Sequence, residues 1–328
     1  MNKIKNTVLI FGSLLLLTFS ACKKTGGAKT LKLAHALPTE HPVHKAMEYM
    51  GKVLLEKSGG KLGLEIYPSQ QLGTERQCLE LLQIGSLAMT KVSAAVMENF
   101  SPRMRVVGLP YLFRDREHGF HFQDSELGKQ LLVEGEGFWL RGLVYFDAGQ
   151  RSFYTKTKPV HVPADLKNQK IRVMQSKTAI DMVKALGGSP TPISWGELYT
   201  ALQQGIVDGA ENNPPSFYTS RHYEVCKYYT LDEHTSIPDL LVVGTVAWNR
   251  LSPQEQTWLQ EAADEAKFYQ RKLWAEAEEE ALREVQKAGV EIIRPDKSVF
   301  SEKAKPVLEA FKEDAEIYEL IKEIQAIK

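Results

Sequence analysis

The sequence predicts an α/β protein that folds into two lobes. Strand-like runs alternate with helix-like runs along most of the chain, which is typical of sheets that lie between helices. About 300 residues follow the N-terminal segment, and they suit two domains of about 100–200 residues each. Two apolar strands stand where the chain passes from one lobe to the other and back. We therefore expect both lobes to be discontinuous in sequence.

The N-terminal segment has the pattern of an export signal. Two lysines precede an apolar run over residues 8–19, and small residues lead from this run to Cys22. The run is shorter than the roughly 20 apolar residues that span a bilayer. Because Cys22 resembles a bacterial lipoprotein cleavage site, we expect residues 1–21 to be a lipoprotein signal peptide, Cys22 to be lipidated, and residues 22–30 to form a tether. A soluble periplasmic protein that is cut nearby is the alternative.

The first lobe begins with three strands that alternate with two helices. Glycines follow both helices, and Thr74 is placed to cap the second helix. The predicted elements are a strand over Leu31–Ala34, a helix over Pro42–Lys57, a strand over Leu62–Tyr67, a helix from Thr74 to Ile84 and a strand near Leu87–Val92.

The second lobe is organised around the stretch from Lys170 to Asn213. Its first strand, residues 170–174, alternates apolar and polar residues, so Arg172 points away from the face that Ile171 and Val173 bury. A helix over 178–186 follows and is stopped by Gly187-Gly188, and an extended connector with Pro190 and Pro192 comes next. A capping box at Ser194–Glu197 then starts a helix that runs to Gln204. A strand at Ile206-Val207 leads to Asn212. Ligands bind at such strand ends in open α/β sheets.

Two further strands and one long helix connect the lobes. The strand over Leu143–Asp147 leaves the first lobe, and the strand over Leu240–Trp248 is the return crossing. A capping box at Ser252–Glu255 then starts a helix with no strong breaker before Gly289. At 1.5 Å per residue this helix is on the order of 50 Å long, which exceeds one domain.

Composition and motifs exclude several classes of function. Lys plus Arg balance Asp plus Glu at 41 each, so no basic surface indicates nucleic acid. No phosphate loop, nucleophile elbow, dinucleotide fingerprint or zinc-protease motif is present, so we predict neither an enzyme nor a cofactor. His41 and His44 are three residues apart, but Pro42 lies between them and no third ligand is near, so we predict no metal site. Cys78 and Cys226 lie in helix-like segments and are predicted to be free thiols.

The ordered motifs of the second lobe resemble one family. The Arg172 strand, the Ser189–Pro192 connector, Glu197-Leu198-Tyr199 and the run from Ala201 to Asn212 are similar to the extracytoplasmic solute receptors of tripartite ATP-independent periplasmic (TRAP) transporters. The resemblance extends from about Leu31 to beyond Gly289. It implies a periplasmic-binding-protein type II-like fold with mixed sheets, hinge strands and a long helix that braces both lobes. It also implies a first lobe of residues 31–149 plus 239–278, and a second of 150–238 plus 279–328.

The resemblance also implies a carboxylate-binding site. Arg172 occupies the position of the arginine that clamps the ligand carboxylate, and a guanidinium fork matches a carboxylate at two points. Asn212 matches an asparagine that meets the same carboxylate. Arg151 matches a second arginine that only some members have, and Glu75 follows a motif after which members often place a polar ligand contact. Whether Arg151 and Glu75 touch the ligand is left open.

Further candidates for ligand contact come from predicted loops and aromatic side chains. Asn213 stands where many members of the family have proline. The other candidates are His35, His41 and His234, in loops predicted to face the cleft, and the aromatic rings of Trp195 and Phe217, which suit the carbon face of a sugar.

These observations predict a monomeric periplasmic receptor for an organic acid that delivers its ligand to a membrane permease. The runs Glu211–Pro215, His222–Glu224 and Glu233–Thr235 resemble the members that take hexuronates such as glucuronate or galacturonate. The alternatives are a receptor for four-carbon dicarboxylates, a sensor for a signalling partner and an exported enzyme acting on sugar acids.

Overall fold

The computed structural model describes residues 29–328, which form two mixed sheets with helices packed against them. The predicted signal peptide and the predicted lipidation of Cys22 lie outside the described residues. The strands are β1 (Lys29–Ala34), β2 (Leu62–Tyr67), β3 (Met89–Ser93), β4 (Leu140–Phe146), β5 (Arg151–Thr155), β6 (Lys170–Val173), β7 (Ser189–Pro192), β8 (Gly209–Asn212), β9 (Tyr228–Thr235), β10 (Asp239–Gly244) and β11 (Glu291–Ile293).

The helices cover both sheets. They are α1 (Pro42–Lys57), α2 (Glu75–Gln83), α3 (Ala94–Met97), α4 (Arg116–Asp124), α5 (Glu126–Val133), α6 (Lys177–Ala185), α7 (Leu198–Gln203), α8 (Pro214–Thr219), α9 (Thr245–Trp248), α10 (Pro253–Lys287), α11 (Lys297–Glu309) and α12 (Ala315–Ala326).

Each lobe contains one of the two mixed sheets. The first lobe has the order β2-β1-β3-β10-β4, in which β10 runs antiparallel to both of its neighbours. The second has the order β11-β9-β5-β8-β6-β7, in which β5 is antiparallel to its two neighbours. The chain crosses between the lobes after β4 and again after β9. The predicted two-lobed α/β class with mixed sheets and hinge strands is confirmed.

The long helix α10 braces both lobes, as predicted. Ser252 and Glu255 form the predicted capping box, and Pro253 occupies the first turn. Leu259 near its start and Trp274 just past its middle are buried in the core of the first lobe. Near its end, Val285 is buried in a core of the second lobe. One continuous helix therefore contributes to the hydrophobic cores on both sides of the hinge.

Helix ends in both lobes follow the predicted turn chemistry. Thr74 forms a full capping box with Gln77 at the start of α2. Gly85 and Gly205 end α2 and α7 with the same left-handed φ of 73°, which glycine adopts without steric cost. At Gly85 a Cβ would also lie 2.7 Å from Cγ1 of Val246. The two helix ends therefore share one local structure in both lobes.

Two predicted strands need correction. Residues 206 and 207 form no strand, because Ile206 is half exposed in the turn after α7, and β8 begins only at Gly209. The return strand ends at Gly244 rather than Trp248. Residues 245–248 form the short helix α9, because the sheet is already complete when the backbone of Gly244 pairs with Leu140.

The region between Gly187 and Leu198 also differs from the prediction. The expected connector is instead the edge strand β7. Its prolines have no backbone N–H to donate, and an edge strand tolerates this because it has a neighbour on one side only. The predicted capping box at Ser194 does not form, since its hydroxyl bonds the Glu197 carboxylate instead of a backbone N–H. A 3-10 turn over Trp195–Glu197 precedes α7.

The last two helices, α11 and α12, contribute to the cores of different lobes. Phe300 of α11 is buried in a core of the second lobe. Helix α12 instead packs with the first lobe, where Leu320 and Ile324 share a cluster with Leu109. The prediction that residues 279–328 belong wholly to the second lobe is therefore corrected for α12.

Cys78 and Cys226 are buried free thiols, as predicted, and lie in core clusters of different lobes. Within residues 29–328, no helix is both long enough and apolar enough to span a bilayer.

Candidate ligand-binding cleft

The candidate site is a cleft between the lobes, where several strands of both sheets end. The first lobe contributes the start of α2 and the ends of β3, while the second contributes β6 and the end of β8. Its polar and charged lining residues are Thr74, Glu75, Arg76, Lys91, Ser93, Arg151, Arg172, Gln175, Ser194, Asn212, Asn213, Ser216 and Asp239. Apolar walls come from Ala36, Leu37, Val96, Ala148, Met174, Ile193, Trp195 and Ile237.

Arg172 lines the cleft, as its position on β6 predicted. Ile171 and Val173 are buried in the core on the other face of the sheet. The Arg172 side chain is buried, its Nε donates to the Ile193 carbonyl at 2.8 Å, and its Nη1 has no hydrogen-bond partner among the described residues. Burial lowers the pKa of Arg172 below its usual range. A desolvated cation with an unpaired nitrogen in a cleft is suited to binding an anion.

Arg151 also lines the cleft, but its guanidinium is largely occupied. Nε and Nη2 donate to the two carboxylate oxygens of Glu211 at 2.5 and 2.9 Å, and Nη2 also donates to the Glu211 carbonyl. Nη1 donates to Oδ1 of Asn212 at 2.7 Å. Four of its five N–H donors are thus engaged within the protein. Arg151 therefore has its own buried carboxylate partner, unlike Arg172.

Asn212 is oriented so that its amide nitrogen is the group left for a ligand. Its Oδ1 accepts from Arg151 and from the backbone N–H of Asn213 at 2.9 Å. These two donors fix the amide orientation, and the NH₂ group then remains as a donor. Asn212 lies two residues beyond Ala210, which pairs with Arg172 across β6 and β8. Asn212 and Arg172 consequently face the cleft from adjacent strands on the same side of the sheet.

A buried charge network supports this wall from behind. Nδ1 of His234 bonds Oδ2 of Asp232 at 2.8 Å, and its Nε2 faces Glu211 at 3.5 Å. Burial alone would lower the pKa of His234, but Asp232 and then Glu211 raise it to about 9. Burial would raise the pKa of Glu211, but Arg151 and His234 lower it to about 2. The structure thus places His234 behind the cleft wall, on β9, rather than in a loop facing the ligand.

The first lobe contributes a second charged group to the cleft. Nζ of Lys91 is buried and lies 3.1 Å from carboxylate oxygens of both Glu75 and Asp239. Glu75 is the first residue of α2, as predicted, and lines the cleft. The carboxylate oxygens of Glu75 and Asp239 give this wall hydrogen-bond acceptors beside the ammonium group of Lys91.

The two predicted aromatic contacts occupy different places. Trp195 lines the cleft, and its ring centroid is 5.7 Å from Cζ of Arg172. Phe217 does not reach the cleft wall. It is completely buried in a cluster with Tyr154 and Tyr229, because α8 turns this side chain into the core of the second lobe.

The remaining predicted candidates lie at the edge of the cleft or behind it. His35 is buried away from the cleft, where its Nε2 bonds Nδ1 of His44 at 2.9 Å. His41 caps α1 and bonds Ser216, which lines the cleft. Asn213 lines the cleft and caps α8 by accepting from the Ser216 N–H at 2.9 Å. Neither His35 nor His41 lines the cleft itself, although Ala36 and Leu37 of the same loop do.

Hydrogen bonds join the two lobes next to the cleft. Nδ2 of Asn99 in the first lobe donates to the Gln175 carbonyl in the second at 2.7 Å. The carboxylate of Glu98 accepts from the backbone N–H and the hydroxyl of Thr178 at 3.2 and 2.8 Å. The lobes are therefore in contact beside the site, in a closed arrangement.

Sequence reasoning missed Lys91, Asp239 and Ser216. Two of them carried a signal, since a lone lysine inside the buried strand β3 requires acidic partners, and Asp239 opens the apolar strand β10. Ser216 carried no such signal, because a serine near the start of a helix is common.

Fold and site together define a two-lobed solute receptor with a cleft for an anionic ligand. The chain belongs to the bacterial extracellular solute-binding proteins, family 7, whose family model matches residues 33–314. The sequence-based likeness to TRAP receptors is confirmed.

Solved structures and a curated relative agree with this family. The chain is similar to a TRAP periplasmic solute-binding protein from Bradyrhizobium sp. BTAi1 in complex with galacturonate, at 40% identity, a TM-score of 0.88, and 90% and 99% coverage of the two chains. It is also similar to one from Pseudomonas putida F1 with bound D-glucuronate, at 36% identity, a TM-score of 0.88, and 91% and 97% coverage. An uncharacterized Salmonella typhimurium protein, YiiZ, is 39% identical over 306 residues, which cover 92% of this chain and 93% of that protein.

Because of this charge network, the free energy of unfolding should fall as the pH becomes alkaline. The pKa of His234 is raised in the folded state to about 9 from an ordinary 6.5, so its contribution is complete below pH 6.5 and is lost as pH rises towards 9. A difference of this size corresponds to about 3 kcal/mol. We expect His234→Gln to remove this decline in the free energy of unfolding. Urea unfolding at pH 6.5, 8 and 9 measures it.

The loss of stability at acid pH comes from other residues, so it serves as the internal control. Burial first, then nearby cations, lowers the pKa of His35 and of His222 to about 3. Stability from these two neutral imidazoles is complete above pH 6.5 and is lost as pH falls towards 3. The His234→Gln variant should keep this acid decline. A variant that still loses stability between pH 6.5 and 9 as the wild type does would contradict the role assigned to His234.

Proposed function

We propose that this protein is the extracytoplasmic receptor of a TRAP transporter and that its ligand is a hexuronate such as glucuronate or galacturonate. The observation that carries the ligand class is the pairing of charges around the cleft. Arg151 has Glu211, and Lys91 has Glu75 and Asp239, whereas Arg172 has no carboxylate partner among the described residues. One unpaired buried cation suits a ligand with one carboxylate.

The ligand carboxylate binds at the wall of the second lobe. The open nitrogen of Arg172 and the amide NH₂ of Asn212 are both donors that face the cleft there. A carboxylate at this position satisfies a donor that otherwise has no partner, and charge-assisted hydrogen bonds of this kind are roughly twice as strong as neutral ones. The Trp195 ring beside Arg172 offers an apolar surface for the carbon face of the sugar.

The sugar hydroxyls face the wall of the first lobe. The carboxylate oxygens of Glu75 and Asp239 accept hydrogen bonds, and Nζ of Lys91 donates them. These acceptors and this donor suit sugar hydroxyl groups, because a hydroxyl group both donates and accepts hydrogen bonds. A second carboxylate at this wall would meet two acids of like charge, so the same groups select against four-carbon dicarboxylates. The occupied fork of Arg151 removes the second cation that a dicarboxylate would require.

Binding is coupled to closure of the two lobes about the crossings. A ligand that contacts Arg172 on one lobe and Glu75 on the other has a higher affinity for the closed form, and this difference shifts the population towards it. The closed receptor then delivers the acid to the membrane permease of the transporter. We further propose that the mature protein lies in the periplasm, is held to a membrane by a lipid on Cys22, and acts as a binding protein rather than an enzyme.

Competition between ligands tests the assignment of the hydroxyl wall. We expect wild-type protein to bind D-galacturonate or D-glucuronate more tightly than succinate in calorimetric titrations. Glu75→Gln should narrow this preference by about tenfold, the equivalent of 1.4 kcal/mol, because one of the two repelling charges is removed. Glu126→Gln is the control, since Glu126 is an exposed acid of the first lobe that pairs with Lys129 and does not line the cleft.

Two outcomes would contradict the proposal. Tighter binding of succinate than of either uronate by the wild type would show that the ligand is a dicarboxylate. An unchanged preference in Glu75→Gln would show that Glu75 does not act on the ligand.

The membrane anchor is tested separately. Cys22→Ala should release the protein from the membrane fraction or leave the precursor uncleaved, because the acyl chains contribute about 0.8 kcal/mol per buried methylene. Fractionation of cells followed by mass spectrometry of the N-terminus measures both. Wild-type protein that begins at another residue without a lipid would refute the anchor and leave the ligand assignment intact.

A further inference from the structure

We propose that His41 is a positioning residue for ligand binding: it orients the hydroxyl of Ser216 across the lobe boundary so that this hydroxyl donates a hydrogen bond to the bound acid. The inference rests on the proposed function, since it assigns a role within the same cleft. His41 does not itself line the cleft, and its Nε2 bonds Ser216, which does, so its effect on the ligand passes through that residue.

The backbone at the start of α1 determines the tautomer of His41. Nδ1 of His41 accepts a hydrogen bond from the backbone N–H of Val43 at 3.2 Å, and this bond caps the helix. A nitrogen that accepts from a backbone N–H carries no proton. In the neutral ring the proton is therefore on Nε2. Burial, followed by the charge of Lys91, holds the pKa of His41 well below its usual value, so the ring is neutral.

The protonated nitrogen determines the direction of the next bond. Nε2 of His41 lies 3.2 Å from Oγ of Ser216, and because Nε2 carries the proton, Ser216 is the acceptor. His41 belongs to the first lobe and Ser216 to α8 of the second. The His41 ring also packs 5.7 Å from the ring of Trp274 on the bracing helix α10, which restrains its orientation.

Ser216 is left with a hydroxyl proton and an open acceptor position in the cleft. Its backbone N–H donates to Asn213, and its Oγ accepts from His41. No acceptor for the hydroxyl proton is found among the described residues. Ser216 is 4% exposed and lines the cleft together with Arg172 and Asn212. A ligand oxygen is therefore the partner that this proton requires, because a buried hydroxyl without an acceptor is unfavourable.

A simple capping role for His41 makes a different prediction, and the chain allows the two roles to be separated. Asparagine caps helices well, so His41→Asn keeps the cap on α1 but lacks the distal nitrogen that reaches Ser216. His41→Ala removes both the cap and the interlobe bond. Ser216→Ala removes the hydroxyl and leaves the cap intact.

The experiment is a double-mutant cycle of uronate affinity, measured by calorimetric titration with D-galacturonate and D-glucuronate. We expect Ser216→Ala to weaken binding about tenfold and His41→Asn to weaken it about three- to tenfold, in the range of a typical hydrogen bond. The double variant should bind no more weakly than Ser216→Ala. His41→Asn should also unfold at the same urea concentration as the wild type, whereas His41→Ala should unfold earlier. Losses in the double variant that equal the product of the single losses would overturn the proposal, as would His41→Asn binding within twofold of the wild type.

A measurement without ligand keeps this inference distinct from the proposed function. Nitrogen-15 NMR of the imidazole rings reports which nitrogen carries the proton, and we expect protonation of Nε2 in His41 of the wild type. A proton on Nδ1 would overturn the inference whatever the ligand is. If the wild type binds neither uronate, the proposed function fails. The same cycle, run with succinate, then decides whether His41 acts through Ser216 on the carboxylate that does bind.

Discussion

Replacing Arg172 with alanine is expected to abolish measurable uronate binding while the protein remains folded. The side chain is 2% exposed, and Nη1 has no hydrogen-bond partner in the described part of the chain, so we propose the ligand carboxylate as its counter-ion. Removing one partner of a buried, hydrogen-bonded charge pair costs about 2–5 kcal/mol, or roughly 30- to 4000-fold in affinity. Calorimetric titration with a uronate measures the loss.

Arg172→Lys should fail nearly as badly, because a single ammonium group cannot bond the Ile193 carbonyl and a carboxylate with the geometry of the guanidinium fork. Arg221→Ala is the control, since that side chain is 73% exposed on the same lobe. Affinity within about threefold of the wild type, or under ~1 kcal/mol, for either Arg172 variant would exclude Arg172 from the site.

Arg151→Ala is expected to lower the free energy of unfolding by about 3–5 kcal/mol, because it leaves the buried carboxylate of Glu211 without its principal counter-charge. The Arg151 and Glu211 side chains are 5% and 2% exposed, and they share several hydrogen bonds. Urea unfolding of the ligand-free protein measures the change. The second arginine of the cleft should therefore act mainly on stability, in contrast to Arg172.

Two further variants test this account of Arg151. Lys177→Ala breaks an exposed ion pair with Asp181 and should change stability by at most about 1 kcal/mol. The double variant Arg151→Met with Glu211→Leu should recover part of the loss, since neither charge then remains buried alone. Arg151→Ala with wild-type stability would show that Glu211 is neutral in the folded protein.

Local patterns were sufficient to predict much of the fold. The alternation around Arg172 correctly placed its side chain opposite Ile171 and Val173, because side chains on a strand alternate between the two faces. Capping residues correctly fixed the start of α10 at Ser252. These signals involve residues that are close in sequence, so one chain contains all the information they require.

Predictions failed where distant parts of the chain decide the structure. Residues 245–248 are apolar enough for a strand. They form a helix because the pairing of β10 with β4 ends at Gly244, so no partner strand continues beside them. Helix α12 packs on the first lobe through side chains such as Leu320, which no local pattern assigns to either lobe. The assignment of all of residues 279–328 to the second lobe was therefore wrong for α12.

The candidate site shows the same division. Arg172 and Asn212 were found because they lie in one continuous motif. Lys91 and Asp239 lie on strands far apart in sequence that pair side by side, so their charge pair appears only once the sheet is formed. His234 was predicted to face the ligand because its strand was interpreted as a loop, whereas it lies behind Glu211.

A crystal structure of the protein with D-glucuronate or D-galacturonate tests the central claim most directly. We predict that the ligand carboxylate lies within hydrogen-bond distance of Nη1 of Arg172 and of the Asn212 amide. We also predict that the sugar hydroxyls lie against Glu75, Lys91 and Asp239. A uronate carboxylate bound to Lys91 instead, with Arg172 free of ligand, would contradict the account.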